Sequence, residues 1–205
     1  MKTNALRAAG LAAALAACNL LSACAPLIVG GAVLGGTLMA TDRRTSGAQV
    51  EDQAIELKSM NRIRDALGDR GHVSTTSYNR VVLVTGEVSN EADKAAAEQA
   101  VQRVENVKST VNELEIMGPS SLTSRSNDAI LSSKVKATFV DAKDVFANAF
   151  KVVTERGTVY LMGRVTDREA NRATELARSV SGVQKVVRLF EIITEQELAD
   201  LAPKK

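Results

Sequence analysis

The sequence predicts an α+β protein made of two tandem copies of one small domain. Each copy has the order α-β-β-α-β, with a three-stranded sheet and both helices on one face. Three observations carry this expectation. The apolar stretch VVLVTGEV, Val81 to Val88, returns as TVYLMGRV at Thr158 to Val165, and both copies end in Gly-x-Val followed at once by an acidic helix start. After a one-residue deletion the register continues through Val104 and Val180, Val107 and Val183, Val111 and Val187, and Ile116 and Ile192. A repeat of roughly 70 to 80 residues is too long for a solenoid unit and suits an independent small domain.

Residues 1–23 read as an export signal, with Lys2 and Arg7 as the positive start and Ala8 to Leu21 as the apolar middle. The segment ends in Leu21-Ser22-Ala23-Cys24, which resembles a bacterial lipobox and makes Cys24 the expected lipidation site. Leu15-Ala16-Ala17-Cys18 fits the same pattern, but cleavage there leaves only about ten residues after Arg7 for the apolar segment. One cysteine leaves with the signal and the other carries lipid, so no disulfide is expected. Ala25 stands where an Asp would resemble an inner-membrane retention signal, so the expected location is the periplasmic face of the outer membrane. The following PLIVGGAVLGGTLMA is too short and too glycine-rich for a membrane span of roughly 20 apolar residues. With the polar Thr41 to Val50, residues 24–50 are read as a lipidated amino terminus and flexible linker.

Domain 1 is expected over residues 51–116. Leu57, Met60, Ile63 and Leu67 follow a helical stripe that ends at Gly68 and Gly71. A weak strand, His72 to Ser77, leads through a turn at Tyr78-Asn79-Arg80 into the strand Val81 to Val88. Ser89-Asn90 caps a helix from Glu91 to Val104, and Val107 to Ile116 closes the unit. Residues 117–125 (MGPSSLTSR) read as a linker. Domain 2, residues 126–194, repeats the order: a helix from Asn127 to about Asp141 capped within Ser126-Asn127-Asp128, strand Asn148 to Thr154, turn Glu155-Arg156-Gly157, strand Thr158 to Val165, helix Asp167 to Val180 and strand Val183 to Ile193. Residues 195–205 form a charged tail.

Composition excludes several classes of function. A net charge of +2, 3% aromatic residues and no Trp give neither the basic field nor the stacking surfaces that nucleic-acid binding needs. His72 is the sole histidine and has no cysteine cluster with which to share a metal. Gly86 and Gly163 lack the glycine and lysine pattern of a phosphate loop, and read as bulges or close-packing points. Glu87, Glu91 and Asp93 crowd one turn, yet domain 2 has Arg164 and Arg168 at the matching places, so they are read as surface acids at a helix start. No catalytic residue, cofactor or metal is expected.

A helix, a hairpin whose second strand reads V-x-L-x-G-x-V, a second helix and a strand opened by Gly182-Val183 resemble the BON domain. Two such units behind a lipobox, with the phrases ATDRRTSGAQVEDQ, SND and VYLMGRVTDREA, are similar to the dual-BON outer-membrane lipoproteins over essentially the whole mature chain. The resemblance implies a non-enzymatic envelope protein that binds anionic phospholipid and supports outer-membrane integrity. It also implies that the first helix of the second domain, with its SND opening, is the one that contacts lipid.

Charge divides along the repeat. Residues 51–116 hold eight Lys and Arg against twelve Asp and Glu, a net of −4, and residues 126–193 hold eleven against eight, a net of +3. Only domain 2 should favour an anionic membrane, where a well-placed cation contributes about 1 kcal/mol. On its first helix, Leu131, Val135 and Phe139 share a core face, whereas Val140 lies out of phase beside Lys136 and Lys143, and Ile130 lies off that face near Lys134. Ile130, Lys134, Lys136, Val140 and Lys143 are therefore the candidate phospholipid contacts, for headgroups such as phosphatidylglycerol or cardiolipin. The alternative is a scaffold that docks outer-membrane assembly or cell-wall remodelling machinery through acidic domain 1.

Overall fold

The computed structural model describes residues 42–201. The export signal, Cys18, Cys24 and the glycine-rich stretch expected from the sequence lie outside the described residues. Domain 1 runs α1 (Ser46–Leu67), β1 (Gly71–Tyr78), β2 (Val81–Val88), α2 (Glu91–Gln102), β3 (Ser109–Asn112) and β4 (Glu115–Ile116). Domain 2 runs α3 (Leu122–Asp141), a 3-10 turn (Ala147–Ala149), β5 (Phe150–Glu155), β6 (Thr158–Val165), α4 (Asp167–Ser179) and β7 (Lys185–Ile192), and α5 (Glu195–Leu201) follows. In each domain the central strand pairs antiparallel with the first strand and parallel with the last. The expected third strand of domain 1 is split: β3 and β4 share one edge of β2, and buried Leu114 sits between them.

Because side chains alternate across a strand, each central strand serves two cores. Val82, Val84 and Val88 of β2 pack on Ile55, Ile63 and Leu67 of α1 and Ala97 and Val101 of α2. Val159, Leu161 and Val165 of β6 pack in the same way on Val135 and Phe139 of α3 and Ala170, Ala173 and Ala177 of α4. Gly86 and Gly163 are close-packing points within unbroken strand registers. A Cβ at Gly86 (φ +115°) would stand 2.0 Å from the His72 carbonyl oxygen, and one at Gly163 would stand 2.5 Å from that of Ala149.

Both hairpins turn on two residues of positive φ, Asn79-Arg80 and Arg156-Gly157, the geometry that matches strand twist. A buried carboxylate from the first helix of each domain holds the turn. Asp52 accepts from the amides of Asn79 and Arg80 at 2.8 Å each, and Asp128 accepts from those of Arg156 and Gly157 at 2.9 Å each. Burial pushes the Asp52 carboxyl up, but bonds from Ser77, from the turn amides and from Arg44 hold it below the usual carboxylate range.

Several elements start or face differently from expectation. The stripe α1 buries is Asp52, Ile55, Ser59, Ile63 and Leu67, and Leu57 and Met60 are exposed. Helix α1 begins at Ser46 with Thr45 as its cap, and α3 begins at Leu122 with Ser121 as its cap. Ser126-Asn127-Asp128 thus lies inside α3, where Asp128 holds a hairpin and caps no helix. The strand expected from Asn148 begins at Phe150, because Ala147–Ala149 closes a 3-10 turn first.

The opposite faces of the two sheets meet each other. Tyr78 and Leu83 of domain 1 are buried with Tyr160 and Met162 of domain 2, flanked by Val81, Val111, Val153, Val187 and Leu189. The molecule is accordingly layered helix, sheet, sheet, helix. Polar bridges rim the seam: Lys151 Nζ lies 2.7 Å from Glu56, Arg156 Nη1 3.4 Å from Glu87, and Tyr160 Oη donates to Glu113.

The segment before α1 takes part in this seam. Arg43 grips Glu169 with two bonds of 2.7 Å and donates to the Arg164 carbonyl, and the two paired side chains are only 9% and 3% exposed. Arg44 binds Asp42 and Asp52 and lies over the Tyr78 ring, 4.2 Å from its centroid. Residues 42–44 are therefore built into the fold, where a flexible linker was expected. Desolvation pushes the Glu169 carboxyl up, but Arg43 and the Thr166 amide hold it below its ordinary value.

Losing one partner of a buried pair strands the other, at a cost of about 3 kcal/mol. Arg43→Met is expected to lower the free energy of unfolding in urea by that amount, while Arg62→Met at an exposed position changes it by less than about 0.5 kcal/mol. Equal effects of the two substitutions would show that the Arg43–Glu169 pair is not a buried contact.

Candidate functional site

The outer face of α3 and the loop after it carry the residues singled out by the sequence. The core face is as expected: Leu131, Val135 and Phe139 are buried, and Phe139 sets its ring 5.3 Å from Phe150. With that face satisfied, Ile130 remains 54% exposed and Val140 70% exposed. Lys134, Lys136 and Lys143 are exposed too, and none forms an ion pair among the described residues. Most other cations of domain 2 are engaged: Lys151 with Glu56, Arg156 with Glu87 and Glu115, Arg164 with Glu191, Arg168 with Glu195, and Arg172 with Asp144. Arg178, Lys185 and Arg188 also lack a carboxylate partner among the described residues, so Lys134 and Lys136 on α3 and Lys143 just after it hold part of the free positive charge of domain 2.

The candidates do not form one cluster. Ile130 and Lys134 are one turn apart in the middle of α3, and they line a groove of about 620 Å³ together with Met117, Glu115 and Arg156. Val140 and Lys136 are one turn apart near the end of the helix, on a side about 80° away from Ile130 at 100° per residue. Lys143 lies beyond the last helical residue, Asp141. Sequence periodicity missed Phe146, which is 62% exposed in the same loop. The available signal was compositional: Phe146 is one of four phenylalanines, and it stands in a stretch with no strand or helix period.

Glu87 is not the surface acid expected. Its carboxylate is fully buried in the seam, where Arg156 and Ser120 contact it and His72 Nδ1 lies 3.6 Å away. Asp93 is also buried: its amide donates to the side chain of the cap Asn90, and its carboxylate accepts from Asn90 Nδ2 and pairs with Arg70. Among the described residues no group of three His, Cys, Asp or Glu could hold a metal. Beside Glu87, Glu155 is pushed up to about 7 by burial, with the charges of Glu87 and Asp128 adding to Arg125 and Arg156 opposing.

A family model described as BON domain matches residues 51–118 and again 127–194. The chain is 37% identical over 186 residues to Outer membrane lipoprotein DolP of Haemophilus influenzae, covering 89% of this chain and 95% of that protein. It is 29% identical over 154 residues to the 21 kDa hemolysin of Actinobacillus pleuropneumoniae, covering 74% and 79% of the two chains. It is 28% identical over 148 residues to Osmotically-inducible protein Y of Escherichia coli, covering 68% and 72%. Among solved structures, CdsD of the Chlamydia trachomatis type III secretion system is 14% identical with a TM-score of 0.29, covering 71% of this chain and 98% of that one, a likeness too low to bear on the fold.

With its carboxyl raised to about 7, Glu155 holds a proton in the folded protein that the unfolded chain, near 4.5, has already released. Its contribution to stability therefore falls as pH rises through that window. Glu155→Gln cannot ionise, so it is expected to raise Tm more at pH 8 than at pH 5, which thermal unfolding at the two pH values measures. An equal gain at both would place the origin of the effect elsewhere.

Proposed function

The chain belongs to the BON family, with two BON domains, and from that premise we propose that it is a non-enzymatic outer-membrane lipoprotein. Acylated at Cys24 and facing the periplasm, it binds anionic phospholipid through α3 of domain 2 and so supports outer-membrane integrity. The observation that carries this reading is that Lys134 and Lys136, with exposed Ile130 and Val140, stand unpaired on a helix whose core face is already satisfied, and that Lys143 follows unpaired just past its end. Apolar groups can enter the acyl boundary while ammonium groups meet headgroup phosphate, each contributing on the order of 1 kcal/mol. An acyl anchor makes this second contact intramolecular, so a weak headgroup affinity suffices to set position.

A second reading, a scaffold for envelope machinery, draws on a different surface. Val50, Leu57 and Met60 are exposed along one side of α1 in acidic domain 1. Since the bare sheet of domain 1 is buried by domain 2, the discriminating variant is Leu57→Glu with Met60→Glu in the intact chain. Loss of protein cross-links in cells with lipid binding retained would favour this reading.

Residues 41–205 titrated with micelles of anionic or zwitterionic lipid test the lipid reading by backbone NMR. Shift changes are expected on α3 and the loop after it, with anionic lipid alone, and they should vanish in Val140→Glu with Lys136→Glu. Changes that map to domain 1, or that ignore headgroup charge, would refute it.

A further inference from the structure

We propose that the groove between α4 and the outer edge of β7 docks an extended, acidic peptide segment, which adds a strand to β7 and places a carboxylate between Arg178 and Arg188. The argument starts from the repeat. In the register set by Val104 with Val180 and Val111 with Val187, Glu98, Gln102 and Asn112 of domain 1 match Thr174, Arg178 and Arg188 of domain 2. Strand pairing agrees, since Asn112 stands opposite Val84 and Arg188 opposite Leu161, the matching residues of the two central strands.

In domain 1 this place is closed from within. Asn112 Nδ2 donates to Glu98 at 3.1 Å and to the Lys94 carbonyl at 3.0 Å, and Gln102 Nε2 donates to the other oxygen of Glu98 at 3.0 Å. One carboxylate thus gathers donors from α2 and from the strand beside it. In domain 2 that carboxylate is gone and both side chains that donate to it have become arginines. The Thr174 hydroxyl is committed to the Ala170 carbonyl at 2.6 Å, and Arg188 Nη1 donates to the Asn171 amide oxygen at 3.1 Å. Arg178 and Lys185 have no carboxylate partner among the described residues. Glu175, in the lining of the groove of about 430 Å³ at this place, lies 3.8 Å from Arg172. The acid that domain 1 supplies to itself has to come to domain 2 from outside.

The strand edge supplies the other half of the site. β7 pairs with β6 over all eight of its residues and, among the described residues, is the last strand on its side of the sheet. Alternate backbone groups of such an edge point away from the sheet, where an added strand can bond them. The matching edge of domain 1 is interrupted at Glu113 and Leu114, between β3 and β4, and offers no run of that length. An extended peptide laid along β7 therefore gains main-chain bonds from the strand and side-chain recognition from the groove under α4. Charge selects its chemistry, because guanidinium groups present paired donors that match a carboxylate, and Lys185 at the start of β7 adds a third cation. A membrane contact needs exposed apolar groups beside its cations, whereas the side chains lining this groove are polar throughout.

Phage displaying random heptapeptides, selected on the intact protein in detergent and in parallel on Arg178→Gln with Arg188→Gln, test this. The wild-type chain alone is expected to enrich peptides with Asp or Glu at one position among β-forming residues. The strongest of these, made synthetically, should bind the double variant at least about tenfold more weakly, as the loss of a charged hydrogen-bonded contact implies. Thr174→Glu restores the carboxylate that domain 1 has at Glu98, and should also expel the peptide by occupying the arginines. Hydrogen exchange should show β7 amides slowed by the peptide and α3 amides unchanged. The charge-dependent micelle shifts expected on α3 should be the same in the double variant. No acidic enrichment, equal enrichment on both proteins, or protection that maps to α3 would overturn the proposal. Loss of the micelle shifts in the double variant without any peptide selection would assign these arginines to the membrane and overturn it too.

Discussion

A three-stranded sheet with both helices on one side has a bare face, and in this protein each bare face is covered by the other. That single contact explains why the organising strands are apolar almost throughout: β2 and β6 must satisfy a helix-side core and a sheet-side core at once. It also explains the polar residues that interrupt them. Glu87 cannot stay buried without a counter-charge, and Arg156 of the other domain supplies one, with Ser120 of the connecting segment completing the shell. Domains of this size sit near the lower limit for independent folding. The seam enlarges the core of each by burying Tyr78, Leu83, Tyr160 and Met162, at roughly 1.5–3 kcal/mol for a fully buried large apolar side chain.

What could be read from the sequence follows from the same division. Periodicity finds residues whose partners lie within their own domain, so the repeat, the core face of α3 and the glycines at close approaches were all legible. It failed on α1 because the buried stripe contains Asp52 and Ser59, polar side chains that a hydrophobic pattern counts as solvent-facing. Asp52 is buried because it holds a hairpin turn, and Asp128 in the SND phrase of domain 2 has the same task. The segment Asp42-Arg43-Arg44 looked like a solvated linker for an equivalent reason. Arg43 reaches Glu169, 126 residues away, and a pairing of that span leaves no local trace in composition, while Arg44 reaches Asp52, a residue that the hydrophobic pattern had already counted as solvent-facing.

Net charge was a sound guide to which domain is cationic and a poor guide to where the free charge lies. Domain 1 spends Glu56, Glu87 and Glu115 on bridges to Lys151 and Arg156, so part of its acidity is internal to the seam. Domain 2 spends most of its arginines in the same way or on its own carboxylates. Arginine suits such buried, bidentate contacts, whereas lysine is a compact charge on a flexible stem. The sorting by residue type is visible on α3, whose lysines are left to solvent.

Because the sheets are the inner layers, their faces cannot serve as binding surfaces while the seam is closed. Recognition is left to the outer helices, to the sheet edges and to the loops at the two poles, and the two copies have diverged there. Helix α1 exposes Val50, Leu57 and Met60 in an acidic domain, while α3 exposes Ile130 and Val140 among free lysines and is followed by Phe146. The same layering keeps these surfaces apart: α1 and α3 belong to the two outer layers, with both sheets between them. A ligand on one need not displace a ligand on the other, so a lipid contact through domain 2 and a protein contact through domain 1 are sterically compatible roles for one chain.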